Sequence, residues 1–262
     1  MKNMVNMRMW WGGCLLCAGA FVASCSSDED VLASGEGTIA FDVQADTGFR
    51  SRALDEADYK ELDNYTVQLL GNSGVEQEWS YAELPSKVTV PAGTYQVKAF
   101  YGEDVPASTE TMYVEGLSGD VTVDGTEAEA TSVKVVCRPV CAKVTVKFAD
   151  TMSQYFSDWS VTFKTVALGS ESFVWSKDAV DPVYLKVQQE ERVTAVISYT
   201  RDGKPAEIAK EYVMSPSDGM TINVSPKVEQ SEGSLNVSIS IDTTTNDIEQ
   251  DIEVPSDWVN QK

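Results

Sequence analysis

Val133-Lys-Val-Val-Cys-Arg-Pro-Val-Cys-Ala-Lys-Val-Thr-Val-Lys-Phe148 holds two strands and the break between them. Val133, Val135 and Cys137 share one face, whereas Val140, Ala142, Val144, Val146 and Phe148 follow a second phase. A period of two marks a half-buried strand. The phase slips at Arg138-Pro139, where proline has no N–H to give to a ladder and ends the first strand. This phasing turns Cys137 inward and Cys141 outward, beside Lys143 and Thr145. Four residues of straight strand span ~13 Å, too far for a disulfide. Two free thiols are therefore favoured, and only a bend at Pro139 would bring the pair within bonding reach.

The same alternation continues in both directions. Ile39, Phe41 and Val43 alternate, as do Tyr65, Val67 and Leu69, and Tyr95, Val97, Ala99 and Tyr101. Beyond the break follow Trp159, Val161 and Phe163, then Val193, Ala195, Ile197 and Tyr199, then Leu235, Val237, Ile239 and Ile241. Turn signals separate these runs, among them Gly71-Asn-Ser-Gly74, Pro91-Ala-Gly93, Asp124-Gly125 and Arg201-Asp-Gly-Lys204. Short alternating runs between such turns predict an all-β fold of antiparallel sandwiches. Only Leu54 to Leu62 and Thr151 to Phe156 read as short helical turns. Each precedes a strand, and the two strands align: Leu62-Asp-Asn-Tyr-Thr-Val-Gln-Leu69 with Phe156-Ser-Asp-Trp-Ser-Val-Thr-Phe163, 94 residues apart. Trp79-Ser80 and Trp175-Ser176 lie 96 apart, and Tyr101 and Tyr199 lie 98 apart. A slowly drifting offset points to a duplicated domain. The expected units are a sandwich over 37–137 and a second over 140–262.

The chain has 262 residues, 42% of them hydrophobic, enough for two cores. Forty-one Asp and Glu stand against 20 Lys and Arg, a net charge of −21. Such a charge repels phosphate backbones, which excludes nucleic acid as a partner. There is no histidine, so Ser-His, Cys-His and His-ligated metal chemistry is excluded within the chain.

Residues 1–24 read as a signal peptide, with Lys2 and Arg8 ahead of the apolar stretch Met9 to Ala23. Its 15 residues fall short of the ~20 that a membrane-spanning helix needs. Cys14 and Cys17 lie inside this stretch and leave with it. Val22-Ala-Ser-Cys25 resembles the lipobox of bacterial lipoproteins, in which small residues admit the signal peptidase and the cysteine thiol takes a diacylglyceryl group. Lipid attached through Cys25 then anchors the protein, since two or more acyl chains hold stably where one does not. Residues 25–36 form an acidic tether, and Asp28-Glu-Asp30 resembles the address of Bacteroidetes-type lipoproteins on the outer membrane surface.

A longer resemblance rests on Trp79-Ser-Tyr-Ala-Glu-Leu-Pro-Ser-Lys-Val-Thr-Val-Pro-Ala-Gly-Thr-Tyr-Gln-Val-Lys-Ala99, with Val144 to Phe148 and Tyr155-Phe-Ser-Asp-Trp-Ser-Val161. These residues resemble a family of unknown function among Bacteroidetes-type lipoproteins, itself fimbrillin-like. The resemblance implies two transthyretin-like Greek-key sandwiches and a part in type V pili as subunit, anchor or accessory component in adhesion. It also implies cleavage after an arginine, loss of the first strand, and its replacement by a strand from another subunit. Arg50 and Arg52 follow the first strand, and Arg52-Ala53 is the better match to the cleavage position. Ile248, Ile252 and Val254 share one parity near the C-terminus and would form one face of a donated strand.

A glycan-binding lipoprotein of a polysaccharide-uptake system is the alternative, on the strength of Trp79, Trp159, Trp175 and Trp258. Trp159 lies in an alternating strand, and Trp79 and Trp175 occupy equivalent repeat positions, which suggests core rather than ligand. Enzyme activity, cofactors and a metal are not expected. Glu76-Gln-Glu78, Glu190-Glu191 and the run Asp247 to Asp251 read as solvated faces, and the oxygen donors of Asp242 to Asp247 match no calcium loop.

Overall fold

The computed structural model describes residues 35–46, 57–126, 129–231, 234–245 and 248–252. The strands are β1 (Glu36–Ala45), β2 (Thr66–Gly71), β3 (Gly74–Ser80), β4 (Lys87–Pro91), β5 (Gly93–Tyr101), β6 (Ala107–Ser108), β7 (Val114–Leu117), β8 (Val121–Val123) and β9 (Thr131–Pro139). They continue as β10 (Cys141–Phe148), β11 (Asp158–Lys164), β12 (Phe173–Ser176), β13 (Val183–Lys186), β14 (Glu191–Arg201), β15 (Lys204–Met214), β16 (Gly219–Ser231), β17 (Ser234–Thr245) and β18 (Ile248–Ile252). The helical turns are 3-10 turns and fall where the sequence places them, at Ala57–Lys60, Leu62–Asn64 and Asp150–Gln154, with a further one at Tyr81–Glu83.

The strands form β-sandwiches around two hydrophobic cores. In the first, the ladder β3-β2-β5 continues through β7 into β9-β1-β4. Val67, Leu69, Val97 and Ala99 of one half meet Ile39, Val43, Val88, Val133 and Val135 of the other. The second core lies between β12-β11-β14-β15 and the sheet β18-β17-β16-β10-β13-β6. Trp175, Phe163 and Ile197 are its largest fully buried members, with Met152 from the 3-10 turn before β11.

The topology repeats at the strands that flank β1 and β2 and their counterparts β10 and β11. β1 pairs antiparallel with β4 and parallel with β9; β10 pairs antiparallel with β13 and parallel with β16. β2 lies between β3 and β5 as β11 lies between β12 and β14. Val67 faces Trp79 in the first ladder and Val161 faces Trp175 in the second, the positions that the sequence alignment equates. The two parallel pairs are a departure from the purely antiparallel expectation. Alternation reports which face of a strand is buried but not the direction of its neighbour.

One side-chain orientation differs from expectation. Cys141 does not face solvent: it is 3% exposed, lies in the first core, and its thiol donates to the Tyr113 carbonyl at 3.8 Å. Lys143 on the same face is 5% exposed, with its ammonium 5.4 Å from the centre of the Tyr184 ring. The alternation holds, with Ala142, Val144 and Val146 in the second core, but on the other face Cys141 joins the first core and Lys143 is buried, while Lys147 further along is exposed. Contacts cross the expected boundary elsewhere as well. β6 pairs with β13, the Lys186 N–H donates to the Pro106 carbonyl at 3.0 Å, and Lys186 forms an ion pair with Asp104.

Candidate strand-exchange groove

Gly35 stands just before β1, where the chain needs glycine. Gly35 has φ +139°, and a Cβ there would come within 2.8 Å of the Gly125 carbonyl oxygen. Gly37 abuts Val123, whose Cγ1 lies 2.4 Å from where a Cβ would stand. The alternating residues then enter the core: Ile39 is fully buried and Val43 is 6% exposed. Phe41 sits half-buried at the core's edge, its ring 5.7 Å from that of Trp79.

Both edges of β1 are paired. Glu36 to Ala40 run against Pro91 to Lys87 of β4, and Ile39 to Ala45 run beside Thr131 to Cys137 of β9. At the start of the strand the Ala92 N–H donates to the Gly35 carbonyl at 2.9 Å. At its end the Asp46 N–H donates to the Cys137 carbonyl at 2.8 Å, and Arg138 Nε donates to Asp46 Oδ2 at 2.8 Å. A first strand that carries core residues and fills a gap between two others is what strand exchange requires. Its loss would uncover an apolar slot and two rows of backbone groups.

Cys137 lies under the end of β1, its thiol donating to the Ala99 carbonyl at 3.6 Å. Burial, and secondarily the charge of Glu115, push this thiol up to about 12, so it stays protonated and unreactive. Neither Cys137 nor Cys141 forms a disulfide. Glu115 itself works against burial: hydrogen bonds from Lys98 (2.8 Å) and the Tyr113 hydroxyl (2.7 Å) hold its carboxyl below the usual range.

The other predicted site residues are distributed differently. Cys25, Arg50, Arg52 and Ala53 lie outside the described residues, as do Val254 and Trp258. Ile248 and Ile252 fall in β18, which pairs antiparallel with β17 from Thr245↔Ile248 to Ile241↔Ile252 and forms the edge of its sheet. Trp175 is 1% exposed. Trp159 is half-buried, with Phe148 edge-on at 6.2 Å and Lys177 over its ring at 5.7 Å.

Glu191 corrects the solvated-face reading of Glu190-Glu191: it is 7% exposed. Its two carboxylate oxygens accept the Val166 N–H at 2.6 Å and the Gln188 N–H at 2.7 Å, closing the loops on either side. Set between Glu190 and Arg192, this carboxylate reads in the sequence as an exposed charge and gives no signal for that role. Among the described residues no three Cys, Asp or Glu side chains come together to hold a metal, and no helix is long and apolar enough to cross a membrane.

A family model described as "Domain of unknown function (DUF4493)" matches residues 35–256, from the glycine that opens β1 to beyond the end of β18. The chain belongs to this family. In fold it is similar to the fimbrial anchor protein Mfa2 from Porphyromonas gingivalis, at 10% identity and a TM-score of 0.48 over 82% of this chain and 98% of that one. A fimbrial assembly protein from Parabacteroides distasonis is similar at 11% identity and a TM-score of 0.41, over 79% and 95% of the two chains. A comparison with curated proteins gives no match. The family description agrees with the family of unknown function read from the residues that include Trp79 to Ala99.

Proposed function

We propose that this protein is an outer-membrane surface lipoprotein, lipid-anchored through Cys25, that acts as a fimbrillin-like subunit, anchor or accessory component of type V pili in adhesion. The observation that supports this reading best is the place of β1: next to the tether in sequence, yet inside the first sandwich, paired on both edges and carrying Ile39 and Val43 into the core. Cleavage after Arg52 would sever β1 from β2 and leave it held by non-covalent contacts alone. A strand from another subunit would then restore both ladders and the buried apolar face in one step. The segment with Ile248, Ile252 and Val254 is the donor, since β18 lies at a sheet edge and leaves its own sheet without dividing it.

Two experiments test this. The form beginning just after Cys25 is digested briefly with trypsin, its new N-terminus is identified by mass, and the products are run unheated on a denaturing gel. A new N-terminus at Ala53 with a ladder resistant to detergent is expected; cleavage only elsewhere, or no ladder, overturns strand exchange. Separately, labelled palmitate is expected to enter the full chain in a lipoprotein-processing host and to be lost in Cys25→Ser. Equal labelling of both refutes the anchor.

A further inference from the structure

The chain direction through β1, β9 and β10 determines how the first sandwich bears tension. β1 and β9 run parallel, so Ile39 lies beside Thr131 and Ala45 beside Cys137. The tethered end of β1, Glu36, therefore points away from the second sandwich, and its far end meets β9 where β9 continues through Arg138-Pro139 into β10. A pull on the tether draws β1 towards its N-terminus. The second sandwich draws β9 the opposite way, through Pro139. Adjacent parallel strands drawn in opposite directions along their axes are loaded in shear.

In that geometry the seven register pairs of β1 with β9 share the load and must yield together, and the five pairs with β4 resist the same motion. Peeling from one end is different: pairs open singly, and each freed N–H and C=O is taken up by water before the next opens. The Asp46–Arg138 ion pair and the Ala92-to-Gly35 hydrogen bond stand at the two ends of the strand. The second sandwich repeats the arrangement. β10 enters from the junction, and its parallel partner β16 runs beside it from Lys143↔Gly219 to Phe148↔Val224, continuing past the far end of β10.

We infer that the parallel β1–β9 ladder is a mechanical clamp that holds the tethered end of this chain against loads on the second sandwich. The inference rests on the lipid-anchored reading only for the origin of the load; the clamp itself is a property of the described strands.

Single-molecule pulling on the full chain tests it. Cys14, Cys17 and Cys25 are replaced by serine, one attachment is made before Met1, and the other is made to a single introduced thiol. In one variant this is Arg138→Cys, at the far end of β9, which loads β1 in shear. In the other it is Glu129→Cys in an Arg138→Ala background, just before β9 starts, which peels β1 from its own N-terminal end. Both positions are exposed, and buried Cys137 and Cys141 do not compete for the linkage. Forced unfolding reports the unfolding barrier. At one loading rate the Arg138→Cys geometry is expected to need several times the force of the Glu129→Cys geometry. Equal forces overturn the clamp. No lipid enters the measurement, so its failure leaves the palmitate result standing, and loss of palmitate labelling leaves the force ratio standing.

Discussion

Replacing Ile39 with alanine tests whether β1 is a core strand or a removable cover. Ile39 is fully buried and pairs with Val88 and Thr131 at once, so its side chain sits where both ladders overlap. Ile→Ala removes three carbons, at ~0.8 kcal/mol for each buried CH₂. The cavity left behind raises the range for such changes to about 2–5 kcal/mol. Loss of a β-branched residue from a strand between two neighbours adds up to ~1 kcal/mol. A cost of about 3–4 kcal/mol follows.

Urea unfolding of the form beginning after Cys25, followed by circular dichroism and tryptophan fluorescence, measures it. With two hydrophobic cores, two transitions are expected, and only that of the first core should move. For a domain of about 100 residues with a slope near 2 kcal/mol per molar urea, the midpoint falls by roughly 1.5–2 M. Val213→Ala, at a residue 61% exposed on β15, is the control, expected within about 0.5 kcal/mol of wild type. A shift for Ile39→Ala no larger than the control refutes the reading, because β1 would then contribute little that a neighbour's strand had to replace.

The packing and charges of both sandwiches lead to further outcomes. Gly37→Ala should destabilise the first sandwich by about 1–3 kcal/mol, since its new methyl meets Val123 Cγ1 and the Asp124 carbonyl; unchanged thermal unfolding would contradict that packing. Cys137 and Cys141 should resist a thiol reagent at pH 8 and both react once urea unfolds the chain, as read by mass. Glu115 has a lowered pKa when folded, so its contribution is present above the unfolded value near 4.5 and is lost as pH falls through the folded one; Glu115→Gln should flatten the acid limb of stability against pH. Burial pushes the Tyr212 phenol up to about 12, so its contribution is complete below the unfolded value of 10.0 and is lost as pH rises towards 12. Tyr212→Phe should weaken the alkaline loss, measured as urea midpoints across that range.

Most of the strand framework is legible in residue order, because the period of two survives wherever one face is buried and the other is not. The runs at Tyr65, Tyr95, Trp159 and Val193 all become strands, and Asp202-Gly203 becomes a two-residue turn with both residues at positive φ, the geometry that favours this pair. Cys141 shows where the method stops. Its phase is right, but phase says only that it lies opposite Ala142, and a second sandwich on that side buries it as thoroughly. Glu191 fails for the complementary reason. A carboxylate can be buried when backbone N–H groups satisfy it, and those of Val166 and Gln188 are brought to it only by the fold. For the groove, composition marks Ile39, Phe41 and Val43 as a strand, but nothing local states that β9, some 90 residues later, lies parallel beside it.

If β1 is exchanged as proposed, continuity of the chain decides why its repeat counterpart is not. β1 and β10 hold equivalent places, each between an antiparallel partner and a parallel one. β10 is the continuation of β9 through Pro139, and Cys141 at its start lies in the first core. Removing it would need two cuts and would break both cores. For β1, a single cut between residues 46 and 57 frees its C-terminal end. On the proposed strand exchange, the repeat holds one strand position suited to it and one fixed by continuity of the chain. An engineered cleavage site between β10 and β11 should accordingly leave β10 in place on cutting, still joined to β9, without yielding a product that accepts a strand from another copy; a stable ladder formed from that cut would show that position in the repeat, and not continuity of the chain, governs exchange.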